Sequence, residues 1–539
     1  MKTKIVFAFF CSILSLFSQE EDAWVFFKDK PNQASFIANP SLMLSPKAIQ
    51  RRVKQNLPID STDVPIHQPY KTAVANATGI TVMAESKWLN ALHIRGTVSA
   101  VSLLLDDESI SYIKFADHSL NVGGTPSGRF LSNDVTPNYR TTNKLNIQVE
   151  YNYGSSLSQV EMLAVDYLHQ NDFLGDGITI AVMDSGFPGV DTASPFAQLQ
   201  NNNQIKGGYN YPDRSPNFYT RHYHGTAVLS TIAGFVAGEL VGTAPNANYY
   251  LFITEDANSE NPVEESYWVE AVERADSLGV DMINTSLGYF GYDNANYSHT
   301  YSNMNGETAF ASRAASMIAQ KGMILVTSAG NSGNTSNPHI AVPGDAKNIL
   351  TIGAVNANEE LASFSSIGPS FDNRIKPELA AQGVFSIFSN ELGEIVSGNG
   401  TSFSSPILCG AIASFWSAYP YLTAEEVMLK VKQSANQFLQ PDNLKGYGIP
   451  NFKKAVDDIN DSILQFSVFP NPVENQLKIT KNNNLLASFE MYDVLGRQIV
   501  ETTFFDTNYI FSTSSLASGT YIYYLQINDT VKSGKIIKK

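Results

Sequence analysis

Residues 141–463 alternate short, β-branched apolar runs with amphipathic stretches, and that alternation constrains the fold more than any other feature. Ile178–Met183, Asp281–Ser286, Met323–Thr327 and Ile349–Ile352 are short, β-branched and bounded by Gly or Asn. Between them Trp268, Ala271, Val272, Ala275 and Leu278 recur at helical spacing, and Thr308 to Ala319 reads as a further helix. A strand that is apolar at every position must be buried on both faces. A parallel sheet covered by helices on both sides provides that, so the fold class here is α/β. In such sheets ligands bind beyond the carboxyl ends of the strands.

Two composition shifts bound this segment. Residues 121–143 are rich in Gly, Pro, Ser, Thr and Asn and read as an exposed linker. In front of it, Gly79 to Ala84 and Thr97 to Leu105 look like strands around short helices, an α+β unit. Behind the central segment, Phe469-Pro470-Asn471-Pro472 opens a stretch where Leu477 to Ile479, Phe489 to Tyr492 and Tyr521 to Ile527 alternate at period two, a small all-β unit. The chain begins with Lys2 and Lys4 before an apolar run, Ile5 to Phe17, too short to span a bilayer and of the right length for a secretory signal ending near Ser18. The expected organisation is therefore 1–18 signal, 19–140 N-terminal unit, 141–463 central domain and 464–539 C-terminal β-domain. Once Cys11 leaves with the signal, Cys409 stands alone in an apolar helix and is expected to be a buried small hydrophobe.

The acidity of the chain is local. Residues 141–463 hold 15 basic and 33 acidic side chains, whereas 19–140 hold 12 of each and 464–539 hold 7 and 6. A net charge of −15 excludes the basic face that a nucleic-acid binder needs. No later segment has the continuous apolar length of a transmembrane span. The acidic surface is expected to keep an exported protein soluble. Structural calcium is the other use for clustered carboxylates, but no EF-hand-like spacing names its ligands, and no metal residue is assigned.

Several strands end in polar residues where a site is expected. Ile178–Met183 runs into Asp184-Ser185-Gly186. His224-Gly225-Thr226 opens an apolar helix, Met323–Thr327 leads to Ser328-Ala329-Gly330-Asn331, and Gly400-Thr401-Ser402-Phe403-Ser404-Ser405-Pro406 opens another helix. A Ser at a glycine-bounded helix start exposes its hydroxyl beside free backbone N–H groups. Each string alone is commonly a cap or a turn; the four together, in this order, are not a chance pattern.

On these strings, with Ser286-Leu287-Gly288, residues 155–455 resemble the subtilisin-like serine peptidases. Ser185 stands where Thr is common, and Phe403 where Met is frequent. The resemblance implies that Ser402 attacks a peptide carbonyl, that His224 carries the proton and that Asp184 orients the imidazole. Asn331 and the Ser402 backbone N–H would receive the oxyanion, and no cofactor would be required. His222 is the competing base, without the helix start that follows His224. A metal pair of His222 and His224 lacks an apparent third ligand. Ser404 and Ser405 are expected to be helix-facing hydroxyls. Ser286, Leu287 and Gly288 would pair with an extended protein or peptide substrate. Ser328, Ala329 and Gly330 would wall the pocket for the residue before the cut, with Ala341 near its base. The insertion Tyr289 to Gly306 either rims the cleft or is an inert loop.

The flanks carry resemblances too. Residues 19–140 stand where these peptidases keep a propeptide. The tail resembles the sorting domain of the type IX secretion system through Phe469-Pro470-Asn471-Pro472, Asp493-Val494-Leu495-Gly496-Arg497, Ser518-Gly519-Thr520-Tyr521 and its basic end. That implies export to the cell surface or the medium, with the secretion machinery as partner; a substrate-binding β-module is the alternative for the tail. For the whole chain, the rivals to a secreted endopeptidase are an inactive surface protein on the same scaffold and a peptide ligase using the same acyl-enzyme.

Overall fold

In the computed structural model, residues 20–121, 149–463, 466–482, 485–527 and 530–539 are described. The expected signal segment, Cys11 and all of the linker beyond residue 121 lie outside them. The chain forms two compact units, Met1–Asn451 and Phe452–Lys539.

The first unit is built on seven parallel strands in the order Leu379–Gln382, Leu350–Val355, Ile324–Ser328, Met282–Thr285, Thr179–Asp184, Asn248–Ile253, Ile205–Asn210. The apolar runs of the sequence fall on these strands to within a residue or two at their starts, and five of the strands are buried at every position. Ala181, Met183, Ile283 and Leu325 share a core with Trp268, Val269 and Val272 of the helix Val263–Leu278. Alternation along the strand sends Ile180, Val182 and Asp184 to the opposite face. There the helices His224–Ala233 and Thr401–Ala418 pack on the sheet and on each other. Cys409 lies in the second of these with no exposed surface, and burial pushes its thiol pKa up.

The N-terminal part of this unit is a four-stranded antiparallel sheet, ordered Ile80–Ser86, Ala91–Thr97, Glu20–Phe27, Ile110–Phe115. Its central strand Glu20–Phe27 is buried on both faces for two different reasons. Ala23, Val25 and Phe27 meet Val74, Val101 and Leu104 beneath the sheet's own helices. Trp24 and Phe26 join the central core, with Trp24 stacked on Phe310 at 5.3 Å and its indole N–H donating to Ser266 Oγ at 2.9 Å. The stretch Thr97 to Leu105, expected as a strand, is instead a strand end followed by the helix Val98–Leu103. The Thr97 hydroxyl accepts the Ala100 N–H at 3.2 Å, and this cap outweighs the β-branched composition. The helix expected over Thr308 to Ala319 is shorter, Phe310–Ala315, and continues as tighter turns. Ser316 Oγ donates to Ser312 O and Gly306 O and accepts the Lys347 N–H, contacts that compete with a continued helix.

The sheet docks on Val263–Leu278 largely through ion pairs and caps. Glu273 accepts the Ser86 hydroxyl (2.6 Å) and the backbone N–H groups of Lys87 (2.8 Å) and Trp88 (2.9 Å). The helix Pro46–Lys54 presents Arg51 and Arg52 to Asp276, and Arg52 reaches Asp63 at 3.1 Å, which in turn holds Lys321 at 3.0 Å. These side chains are all at most 3% exposed. The insertion Tyr289 to Gly306 belongs to this interface as well: Tyr297 donates to Glu21 at 2.7 Å, and Asn296 to Asp117 at 3.1 Å.

The second unit opens with the helix Phe452–Ile463. Two antiparallel sheets follow, one of three strands (Phe466–Phe469, Gln476–Lys481, Asn508–Ser512). The other is ordered Gln498–Phe504, Ala487–Asp493, Gly519–Ile527, Thr530–Lys538. Leu477, Ile479, Phe489, Met491, Leu525 and Ile536 form their shared core. Asp493-Val494-Leu495-Gly496-Arg497 is a hairpin turn, closed by Arg497 Nε on Asp493 Oδ2 at 2.6 Å. Among the described residues no helix is long and apolar enough to cross a membrane.

Arg52 tests the docking. In a Ser402→Ala background, Arg52→Met leaves Asp63 and Asp276 buried with one partner fewer. We expect a loss of about 3 kcal/mol in denaturant unfolding, with an unchanged far-UV spectrum before the transition.

Candidate active site

The expected site residues converge on the carboxyl edge of the parallel sheet. Asp184 ends its strand with no exposed surface. Its Oδ1 accepts the Ser185 backbone N–H at 2.7 Å, the Ser185 hydroxyl at 3.1 Å and His224 Nδ1 at 2.8 Å. Its Oδ2 is buried without a hydrogen-bond partner among the described residues. His224 opens its helix directly against this strand end. The next residue must be Gly: a Cβ on Gly225 would lie 2.4 Å from Gly186 O and 2.8 Å from Asp184 Cβ. Burial works to lower the His224 pKa, but the Asp184 charge and hydrogen bond more than offset it, and the pKa is raised above 6.5. The imidazole remains 30% exposed at its outer edge.

His222 is exposed and turned elsewhere: its Nδ1 accepts the His224 backbone N–H at 3.3 Å. Of the two histidines, only His224 bonds Asp184. Ser402 is half-buried in the first turn of Thr401–Ala418, and no hydrogen bond joins its Oγ to His224. Ser286 Oγ fixes this turn by donating to Ser402 O at 3.0 Å. Ser404 and Ser405 are buried in the same helix, donating to Thr401 O and Asn284 Oδ1 at 3.2 Å each.

Asn331 reaches the same point from the end of Ile324–Ser328. Its Oδ1 accepts both the Thr401 N–H (2.9 Å) and the Thr401 hydroxyl (3.0 Å). A backbone N–H can only donate, so this pair determines which end of the amide is oxygen and turns Nδ2 outward. Gly400 shows where Nδ2 points: a Cβ there would sit 3.7 Å from Asn331 Nδ2, 3.6 Å from Ser402 N and 3.8 Å from Ser402 Cβ. Gly400 has φ 156° and ψ 150°, a region essentially reserved for glycine. Two N–H donors and the Ser402 side chain thus surround one small space, and the φ of Gly400 rather than lack of room disfavours another residue there. Thr401 also accepts the Gly330 N–H at 3.2 Å, tying the two loops together. Sequence reasoning named Ser402 and Asn331 but not Thr401; its position between Gly400 and Ser402 was the available signal.

The other expected residues lie close to one another. Ser328 Oγ donates to Leu287 O at 3.5 Å, and a Cβ on Gly288 would touch Ala341 Cβ at 3.4 Å. Ala329 is buried, Gly330 half-buried, and Tyr289 exchanges backbone hydrogen bonds with Val342 at 2.8 and 3.2 Å. An open groove is lined by Asp213, Arg221, His222, Asp256, Ala257 and Asn258. Among the described residues no group of three or more His, Cys, Asp or Glu is placed to hold a metal ion.

Comparison with known proteins finds three families. Residues 175–448 match the subtilase family, residues 22–131 the peptidase S8 propeptide domain of Bacteroidota, and residues 467–539 a secretion system C-terminal sorting domain. Subtilisin DY of Bacillus licheniformis is 28% identical over 299 residues, covering 55% of this chain and 97% of the relative. Subtilisin E of Bacillus subtilis is 25% identical over 389 residues, covering 71% and 85%. Among solved structures, MycP1 from Mycobacterium smegmatis overlays at a TM-score of 0.45 with 20% identity, covering 59% of this chain and 86% of that one.

The electrostatics give a direct test. With Asp184 present, the His224 ring should titrate above 6.5 by NMR in the Ser402→Ala protein. Asp184→Asn removes the raising charge and leaves burial, so the pKa should fall below 6.5; an unchanged value would separate the two groups.

Proposed function

This chain belongs to the subtilase family, and we propose that it is a secreted endopeptidase that works through Asp184, His224 and Ser402 and an acyl-enzyme intermediate. It is a subtilisin-type serine peptidase that carries an S8 propeptide domain in front. Behind it stands a sorting domain that addresses it to the cell surface or the medium by type IX secretion. The observation that carries the catalytic reading is the buried Asp184 carboxylate holding His224 Nδ1 at 2.8 Å, beside the Ser402 turn and the Asn331 amide.

The chemistry follows from those contacts. With Nδ1–H held on Asp184, the imidazole offers Nε2 as the base. Ser402 Oγ adds to the substrate carbonyl carbon while its proton passes to Nε2. The Ser402–His224 hydrogen bond, unmade without substrate, closes in the complex, as such bonds commonly do. The new oxyanion takes hydrogen bonds from Asn331 Nδ2 and the Ser402 N–H, both in place beforehand because Thr401 fixes the amide. Collapse breaks the C–N bond, and the imidazolium returns the proton to the leaving amine. Water then repeats the sequence on the Ser402 ester and frees the acid. Ser286, Leu287 and Gly288 would pair with the substrate backbone. The slot of Ser328, Ala329, Gly330 and Ala341 would take an apolar or aromatic side chain before the cut. The intact polar set disfavours an inactive scaffold.

Ser402→Ala should abolish proteolysis and labelling by serine-directed phosphonylating reagents while the fold persists; undiminished cleavage would overturn the assignment. Asn331→Leu should lower kcat about 10²–10³-fold at nearly constant KM. That size is the one known for the corresponding donor of subtilisin itself, and a large rise in KM at constant kcat would contradict the role.

The linker 121–143 is the proposed site of propeptide cleavage, since turn-rich polar segments are where nicking concentrates. If the enzyme cuts itself, the Ser402→Ala precursor expressed alone should persist at full length on gels while the parent is shortened. Normal maturation of the variant would assign the cut to another protease.

A further inference from the structure

Two loops leave the sheet on either side of the strand that ends in Asp184. From Asn248–Ile253 the chain runs through Thr254 and Glu255; from Met282–Thr285 it runs through Ser286, Leu287 and Gly288 to Tyr289. A buried hydrogen bond joins them, Tyr289 OH donating to Glu255 Oε1 at 2.6 Å, with Tyr289 1% and Glu255 8% exposed. The same carboxylate oxygen accepts Thr254 Oγ1 at 2.7 Å, and the Thr254 N–H donates to Asp184 O at 3.1 Å. On the other side, the Tyr289 backbone is locked to Val342. Glu264 extends the tie, accepting the Asp256 N–H at 2.8 Å and the Asn261 N–H at 2.9 Å. It thereby sets the course of the loop that supplies Asp256, Ala257 and Asn258 to the open groove.

Stability alone does not account for this arrangement. Burying a carboxyl is costly, and burial together with neighbouring acids pushes both Glu255 and Glu264 pKa values up. Apolar side chains of similar volume would fill the space at no loss. What a directed hydrogen bond adds is a fixed distance between its two ends.

We infer that Tyr289 and Glu255 are positioning residues that hold the segment 286–288 and the loop 256–258 at a fixed separation, so that an extended peptide can bind between them. This rests on the peptidase reading above. Substrate hydrogen bonds weaken steeply with misalignment, so slackening the tie costs binding of a long substrate. The Asp184–His224 and Asn331–Thr401 hydrogen bonds involve neither Tyr289 nor Glu255, so the chemical step should change far less than binding.

The test compares a peptide with four residues before the cut against a single-residue acyl ester, which sits beside Gly288 and Ala341 but does not extend between the two segments. Phosphonylation of Ser402 counts active sites. Tyr289→Phe removes only the hydroxyl; KM for the peptide should rise roughly 3- to 10-fold, the worth of one hydrogen bond, with kcat within about twofold, and the ester should show neither change. Glu255→Gln keeps an acceptor for the tyrosine and should retain the parent KM, whereas Glu255→Leu should behave as Tyr289→Phe does. The glutamate pair reads the same split if the phenylalanine variant does not fold. An unchanged peptide KM, or an equal rise for both substrates, overturns the inference. A parent that cleaves neither substrate overturns the peptidase reading and the inference with it.

Discussion

A carboxylate without exposed surface at the edge of a parallel sheet is the constraint on which the rest of the active centre depends. Asp184 is removed from water by its own strand and by the helix that begins at His224, so its charge must be answered locally. Ser185 supplies two donors and His224 a third, all to one oxygen. That demand brings the helix within contact distance of the strand, which only Gly225 permits, and it fixes which imidazole nitrogen faces inward. Exposure of the ring's other edge follows from the same packing rather than from a separate device.

The second centre of organisation is neutral. Thr401 holds Asn331 with a backbone N–H and a hydroxyl, and Gly330 by its N–H. No charge orients the Asn331 amide, so in the proposed role as oxyanion donor it would keep its full dipole for the charge that develops during reaction. A charged residue in place of Thr401 would already have compensated the amide before any substrate arrived. The division is physically sensible: ionic partners where a charge must be stable in the resting state, and neutral ones where a charge appears only transiently.

Much of this was legible in the sequence because parallel strands announce themselves. The β-branched runs matched Thr179–Asp184 to within a residue and the start of Leu350–Val355, whose end lies three residues further on, and polar strings at strand ends pointed to Asp184 and Asn331. Three things were hidden. Thr97 to Leu105 carries strand-like composition, but a side-chain cap decides its state, and caps compete with composition at the level of a single hydrogen bond. Thr401 lies inside a recognisable string, yet its partners are 70 and 71 residues away in Asn331 and Gly330, which no local pattern reports. The insertion Tyr289 to Gly306 read as either rim or inert loop, and it is neither alone. Its first residue braces the groove, and Tyr297 meets the N-terminal sheet.

The helix Val263–Leu278 holds the N-terminal sheet with one face and the central core with the other. One side carries Trp268 and Val272 into the permanent core; the other presents Glu273 and Asp276 to Ser86, Lys87, Arg51 and Arg52. While docked, these carboxylates are dry and fully partnered, and loss of any one partner is costly. Once the sheet departs as a whole, the same carboxylates face water, where ionised groups are at home. Trp24 and Phe26 add apolar area to the contact, but Trp24 also donates to Ser266 and His93 bridges Ser266 and Asp22, so the interface has polar groups at its centre as well. A purely apolar patch would have bound as firmly and then left an exposed hydrophobic surface behind. Building the contact around charges makes the docked state specific, and release of the sheet would leave carboxylates that water can solvate.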